Sequence, residues 1–145
     1  MKVRCLFNKH SDIPELITKY GYFAQSVLHI TVGKIYTVYA MTCCAPAPVF
    51  RPSLRYTIKD DSVDFGSDGI SSYNAMLFEV IDSRLGLCDW HYSFGKNGMD
   101  FLVGYDEFVN NYEHYEGVVL SEEADRKKFL QWCDIVDNAN KNETD

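Results

Sequence analysis

Alternation of apolar and polar side chains marks a series of short strands along the first two-thirds of the chain. In residues 2–7, Val3, Cys5 and Phe7 alternate with Lys2, Arg4 and Leu6. Residues 34–41 form the clearest predicted strand. Ile35, Thr37 and Tyr39 share one face, and Tyr36, Val38 and Ala40 share the other. Both faces carry apolar groups, which predicts a central strand. Residues 27–30, 55–59 and 76–81 read as further strands. Residues 88–94 and 99–103 predict a hairpin joined by Gly95-Lys96-Asn97-Gly98, because Asn97-Gly98 accepts the positive φ angles of a tight turn.

The breaks are as informative as the strands. Pro46, Pro48 and Pro52 cannot lie in a central strand, so residues 42–53 are expected to form a loop or an irregular sheet edge. Asp60-Asp61 opens a turn-rich stretch through Gly66 and Gly69 to Ser72. Asp12 can cap a short helical turn with Pro14 near its first position, ending by Gly21. Residues 105–110 predict a short helix. Ser121 is placed to cap a longer one from Glu122 to Asn138, whose first turn carries Glu122, Glu123 and Asp125 against the helix dipole. Phe129, Cys133 and Val136, with Trp132 and Ile135 alongside, form an apolar stripe suited to packing on a sheet. The expectation is a single domain over residues 1–138 with a polar tail at 139–145. Its fold class is β-rich α+β: a strongly bent antiparallel sheet, or a partly open small barrel, with a C-terminal helix packed on it.

Composition adds one core and a lopsided charge. The chain has 145 residues, 46% apolar and 14% aromatic, enough for one buried core and too little for two ordinary domains. The net charge is −7, with residues 1–72 at +2 and residues 73–145 at −9. Between positions 100 and 125 lie Asp100, Asp106, Glu107, Glu113, Glu116, Glu122, Glu123 and Asp125, without a Lys or Arg among them. Such a field repels phosphate backbones and attracts basic partners. Phe101, Tyr105, Phe108, Tyr112 and Tyr115 fall in the same stretch. Tyrosine beside carboxylate suits a protein interface, the ring supplying buried area and the acid supplying steering. The candidate partner-binding set is therefore Asp100, Asp106, Glu107, Tyr112, Glu113, Tyr115 and Glu116. The competing reading makes the aromatic rings core and the acids a solvated face. A different function class, a small regulatory module binding nucleic acid or a peptide, would use Lys34, Arg51, Arg55 and Lys59.

Catalytic and metal chemistry find little support. Five cysteines, an odd number with Cys43 and Cys44 adjacent, argue for reduced thiols and a cytoplasmic setting. No apolar run of signal-peptide or membrane-spanning length is present, so the sequon at Asn142 is expected to be irrelevant. Cys88 and His91 have metal-like spacing, and Cys43-Cys44 could add thiolates. On a strand, however, positions three apart point to opposite faces. No phosphate-binding glycine loop, dinucleotide fingerprint or zinc-protease motif occurs. No metal, cofactor or enzymatic activity is predicted.

Several blocks resemble a family of small acidic bacterial cytosolic proteins. They are the residues of 2–9, Gly33-Lys34-Ile35-Tyr36-Thr37-Val38-Tyr39, Tyr56-Thr57-Ile58-Lys59-Asp60-Asp61, the residues of 77–85, Trp90, and Gly104-Tyr105-Asp106-Glu107-Phe108. Their order covers residues 1–130. The Gly-Lys-x-Tyr-x-Val strand followed by an Asp-Asp strand end is similar to small barrels of the Src-homology-3 type. The family resembles immunity proteins of polymorphic toxins, including those of contact-dependent growth inhibition. The resemblance implies a non-enzymatic inhibitor that binds a basic, nuclease-type toxin C-terminal domain stoichiometrically. It brings no catalytic residue set. Residues 43–52 depart from the pattern and the loop 62–73 is unusually Gly/Ser-rich; the resemblance implies that both stretches are candidate specificity elements.

Overall fold

The computed structural model describes residues 1–13, 28–44, 53–94 and 99–142. Two antiparallel sheets carry the chain. Strands β1 (Lys2–Cys5), β2 (Ile35–Thr37) and β6 (Phe78–Asp82) form a three-stranded sheet in the order β2-β1-β6. Strands β3 (Ala40–Cys44), β4 (Ser53–Lys59), β5 (Ile70–Asn74), β7 (His91–Phe94) and β8 (Met99–Gly104) form a five-stranded sheet in the order β5-β4-β3-β8-β7. Helices α1 (Asp106–Asn110), α2 (Tyr112–Val119) and α3 (Glu123–Asn142) follow the last strand. This is the expected β-rich α+β fold with a C-terminal helix, and the sheets do not close into a barrel among the described residues.

The larger sheet is the middle of three layers. Tyr56, Ile58 and Tyr73 on one face join Val3, Cys5, Tyr36, Val38 and Phe78 of the small-sheet side in one core. Ala40, Ile70 and Leu102 on the other face meet Phe108, Val109, Tyr115, Val118, Phe129, Trp132, Cys133 and Val136 of the helices. Period-two alternation in β3 sends Ala40 to the helix-side core and packs Met41 against the other. The predicted stripe of α3 is correct in its inner members, since Phe129, Cys133 and Val136 are fully buried, while Ile135 faces solvent.

The chain changes sheets inside the segment predicted to be one central strand. Residues 35–37 pair with β1, whereas residues 40–44 pair with β4 and β8. Between them, Val38 donates its N–H to Met1 and Tyr39 donates to Thr57 (3.1 and 2.9 Å), so one residue ties to each sheet. Val38 enters the first core and Tyr39 the second. Their apolar neighbours on both faces signalled two cores rather than one central strand.

Other boundaries shift for local reasons. Asn74 caps a 3-10 turn at Ala75–Leu77, so the next strand starts at Phe78 rather than Met76. Asp60 caps a second 3-10 turn, Asp61–Phe65, which Gly66 ends at φ 85°. Thr42, Cys43 and Cys44 belong to β3 and Ser53 opens β4, so only the middle of the predicted proline loop remains, and it lies outside the described residues. The turn 95–98, the helical turn beyond Asp12 and position 27 of the strand expected at 27–30 also lie outside them, and residues 28–30 form no strand. The hairpin that 95–98 was expected to join is present as β7 paired with β8. Ser121 does not cap α3. It adopts φ 65° and closes α2, with Ser121 N–H bonded to Val118 O and Glu122 N–H to Gly117 O, the two bonds of a Schellman ending. Helix α3 continues past Asn138 to Asn142.

Candidate partner-binding surface

Helices α1 and α2 form a shoulder beside the end of the larger sheet. Asp106 and Glu107 occupy the first turn of α1, where carboxylates complement exposed N–H groups. Asp106 accepts from Asn110 Nδ2 (2.8 Å) and lies 3.5 Å from His91 Nδ1. Glu107 is held by Lys128 Nζ at 2.6 Å. On α2, Glu113 and Glu116 face solvent, and Tyr112, 44% exposed, directs its hydroxyl to Glu116 at 3.4 Å. Val119 and Leu120, also exposed, extend the same helix. Asp100 belongs to β8, and its side chain lies outside the described residues.

Tyr115 corrects the anchor assignment. It is 9% exposed, with its ring 5.3 Å from that of Phe108, and it faces the helix core. Position 115 lies three residues after Tyr112, but the width of the apolar face decides its environment: Tyr115 and Val118 face inward, and Tyr112, Glu116 and Val119 face out.

Counter-charges meet many of the acidic residues outside α2. Asp61 pairs with Lys34 (2.5 Å), Glu79 with Arg4 (2.8 Å), Asp82 with Arg84 (2.7 Å) and Asp134 and Asp137 with Lys59 (3.4 Å each). Asp68 receives a two-pronged contact from Arg126, at 2.5 and 2.6 Å. Glu113, Glu116, Glu122 and Glu123 have no cation beside them among the described residues. The same pairs disperse the proposed basic strip. Lys34 and Lys59 are matched to carboxylates, Arg51 lies outside the described residues, and Arg55 bonds to Ser72.

Behind the shoulder, the His114 side chain is 1% exposed. Its Nδ1 meets Asp125 Oδ1 at 2.5 Å, and its Nε2 meets the Tyr105 hydroxyl. Burial first, then the nearby Glu107 carboxylate, pushes the Tyr105 phenol far above its ordinary value. Both imidazole nitrogens are engaged inside the protein, so this Asp-His-Tyr chain offers no free base to a substrate. It joins α2, α3 and the β8–α1 link. Sequence reasoning missed it, because three residues spread over positions 105–125 carry no spacing signal.

A second feature missed from sequence is a ladder of rings on the edge hairpin. Tyr92 and Phe94 of β7 are 70% and 66% exposed, and Phe94 stacks near Phe101 of β8 at 5.2 Å. The intervening Ser93 takes the buried position instead. The cysteine-histidine spacing does not assemble a metal site: Cys88 Sγ approaches the Ile135 carbonyl at 4.0 Å, His91 lies between Asp89 and Asp106, and no group of three potential ligands occurs among the described residues. No described helix is long and apolar enough to cross a membrane. No protein-family model matches this chain, and neither curated proteins nor solved structures match it.

Proposed function

We propose that this protein is a binding domain of the immunity type, which neutralises a basic bacterial toxin domain by stoichiometric contact in the cytoplasm. One observation carries the reading. Four carboxylates without a counter-charge among the described residues, Glu113, Glu116, Glu122 and Glu123, sit on and just after the helix that exposes Tyr112 and Val119 and ends at the exposed Leu120. Asp61, Asp68, Glu79, Asp82, Asp134 and Asp137, by contrast, are each matched to a lysine or arginine within the fold. An apolar strip edged by unmatched negative charge complements a basic cleft: the apolar side chains supply desolvated area and the acids raise the encounter rate. Asp106 and Glu107 belong to the preceding helix α1, where Glu107 is already matched to Lys128. Tyr112 is the aromatic anchor of the strip.

The test is growth rescue, followed by binding kinetics. The C-terminal domain of the protein encoded immediately upstream would be expressed in bacteria with and without this chain. Relief of toxicity, with a one-to-one complex, supports the reading; toxicity without relief counts against that pairing. In the purified pair, Glu113→Lys with Glu116→Lys should lower the association rate about tenfold at low salt and flatten its salt dependence. Loss of binding in Tyr92→Ala or Phe94→Ala, with the α2 variants unaffected, would move the interface to the aromatic ladder.

A further inference from the structure

A cleft of about 380 Å³ lies between the helix-facing side of β3, β4 and β5 and the α1–α2 pair. Its sheet wall is made of Thr42, Arg55, Thr57 and Ser72, and its apolar wall of Ile70, Phe108, Tyr115, Val118 and Val119. The origin of the cleft is legible in the strand register. Thr42 pairs with Arg55 and Thr57 pairs with Ser72 across neighbouring strands, so short hydroxyl side chains and Arg55 share this part of the face. Elsewhere on the same face Ala40 and Leu102 meet the helices directly. Where the wall is threonine and serine, the helices cannot close onto it, and a cavity within the usual size range of small-molecule sites remains.

The two arginines of this cleft are in different states. Arg126 spends its guanidinium on Asp68, Ile70 O and Val118 O. Arg55 is half-buried and donates from Nε to Ser72 Oγ (3.4 Å) and from Nη2 to Ser72 O. No carboxylate faces Arg55 among the described residues. A guanidinium has five N–H donors. Ser72 engages two of those nitrogens, leaving donors and a whole positive charge in a partly enclosed site of a chain whose net charge is −7. Burying a charge in such a setting is costly without a partner of opposite sign.

We propose that this cleft is a binding site for a small amphipathic monocarboxylate. The carboxylate would receive the free fork of Arg55, with Thr42 and Thr57 hydroxyls beside it, and the hydrocarbon part would lie on Ile70, Phe108, Val118 and Val119. A single unmatched charge balances a monoanion. This site lies mainly on the inner side of α2 and meets the surface proposed above only at Val119, on the cleft mouth.

The test is calorimetric titration of the full chain with octanoate and 3-phenylpropionate, set against octanamide and inorganic phosphate at the same concentrations. Saturable one-site binding of a carboxylate, at least about tenfold tighter than the amide, is expected, because a hydrogen-bonded charge pair carries that much discrimination. Arg55→Gln should weaken the carboxylate about tenfold or more and leave the amide unchanged. Val119→Trp, at an exposed helix position on the cleft mouth, should block both and provides the variant to use if Arg55→Gln does not fold. No saturation up to about 5 mM of either acid, equal affinity for acid and amide, preference for phosphate, or binding indifferent to both variants would each overturn the proposal.

Discussion

The indole N–H of Trp132 donates to the backbone carbonyl of Tyr39 at 2.8 Å, across 93 residues of sequence. Tyr39 is where the chain has just left the small sheet for the large one, so the C-terminal helix is fastened to the crossover itself. The Tyr39 hydroxyl returns the contact by donating to Asp137 at 2.8 Å, one turn and a little further along the same helix. Trp132→Phe keeps most of the ring volume and strands a buried carbonyl. It should cost about 1–3 kcal/mol, read as a lower urea midpoint at unchanged slope. An unchanged midpoint would show that the bond contributes nothing net.

Tyr112 and Tyr115 are three residues apart and should respond in opposite ways to the same substitution. Tyr115→Ala empties a core position against Phe108 and should destabilise by about 3–5 kcal/mol. Tyr112→Ala removes an exposed ring and should change stability by less than about 0.5 kcal/mol. If Tyr112 is the anchor, its loss appears in partner affinity instead. Thermal melts beside binding curves separate the two.

Acid should loosen the tie between the β5 approach and α3. Burial pushes the Asp68 carboxyl up, but the hydrogen bonds and charge of Arg126 outweigh it and hold Asp68 below the ordinary 3.8. A carboxylate depressed in the folded state adds stability that is complete above its unfolded value and is lost as pH falls through the folded one. The contribution of Asp68 is therefore full at pH 7 and disappears below pH 3.8. Asp68→Asn should cost about 1–3 kcal/mol at neutral pH and flatten the acid limb of the stability profile. Parallel profiles for the two proteins at every pH would remove Asp68 as the source.

Gly117→Ala should destabilise, although alanine in a helix is ordinarily favourable by up to about 1 kcal/mol. A Cβ at position 117 would collide with the Asp125 carboxylate, so Asp125 would have to leave its place beside His114. The expected net cost is about 1–3 kcal/mol. Nuclear magnetic resonance of the His114 ring would report the broken contact directly. A more stable variant with an unmoved imidazole signal would show that Asp125 yields freely.

Legibility from sequence followed the range of the interaction. The β7–β8 hairpin and the α3 stripe were readable because each depends on residues within one or two turns of each other. The split of residues 34–41 was not, because Ile35 and Met41 find their partners in β1, β4 and β8, far along the chain. Of the surface, the acids at 106, 107, 113 and 116 were legible as a charge run, while the burial of Tyr115 depended on where α2 settled. The Arg55 cleft was invisible for the opposite reason. Arginine and hydroxyl side chains on strands look like a solvated edge, and only the register shows that they face helices that stop short of them. Ser121 looked like a helix start because serine favours that role, yet its left-handed backbone ends the preceding helix instead.

The order of strands in the small sheet imposes a timetable on the growing chain. β1 is made first but lies between β2 and β6, so Val3 must wait for Tyr36 on one side and for Val80 on the other. Pairings of such separation slow folding relative to helical proteins. The middle layer is delayed as well, since β3 finds its second neighbour only after β8 has been made. Of the described elements α3 is synthesised last, and until Trp132 exists the crossover at Tyr39 has no clasp. The nascent chain therefore spends most of its synthesis with half-paired strand edges, the period in which a chaperone would find it.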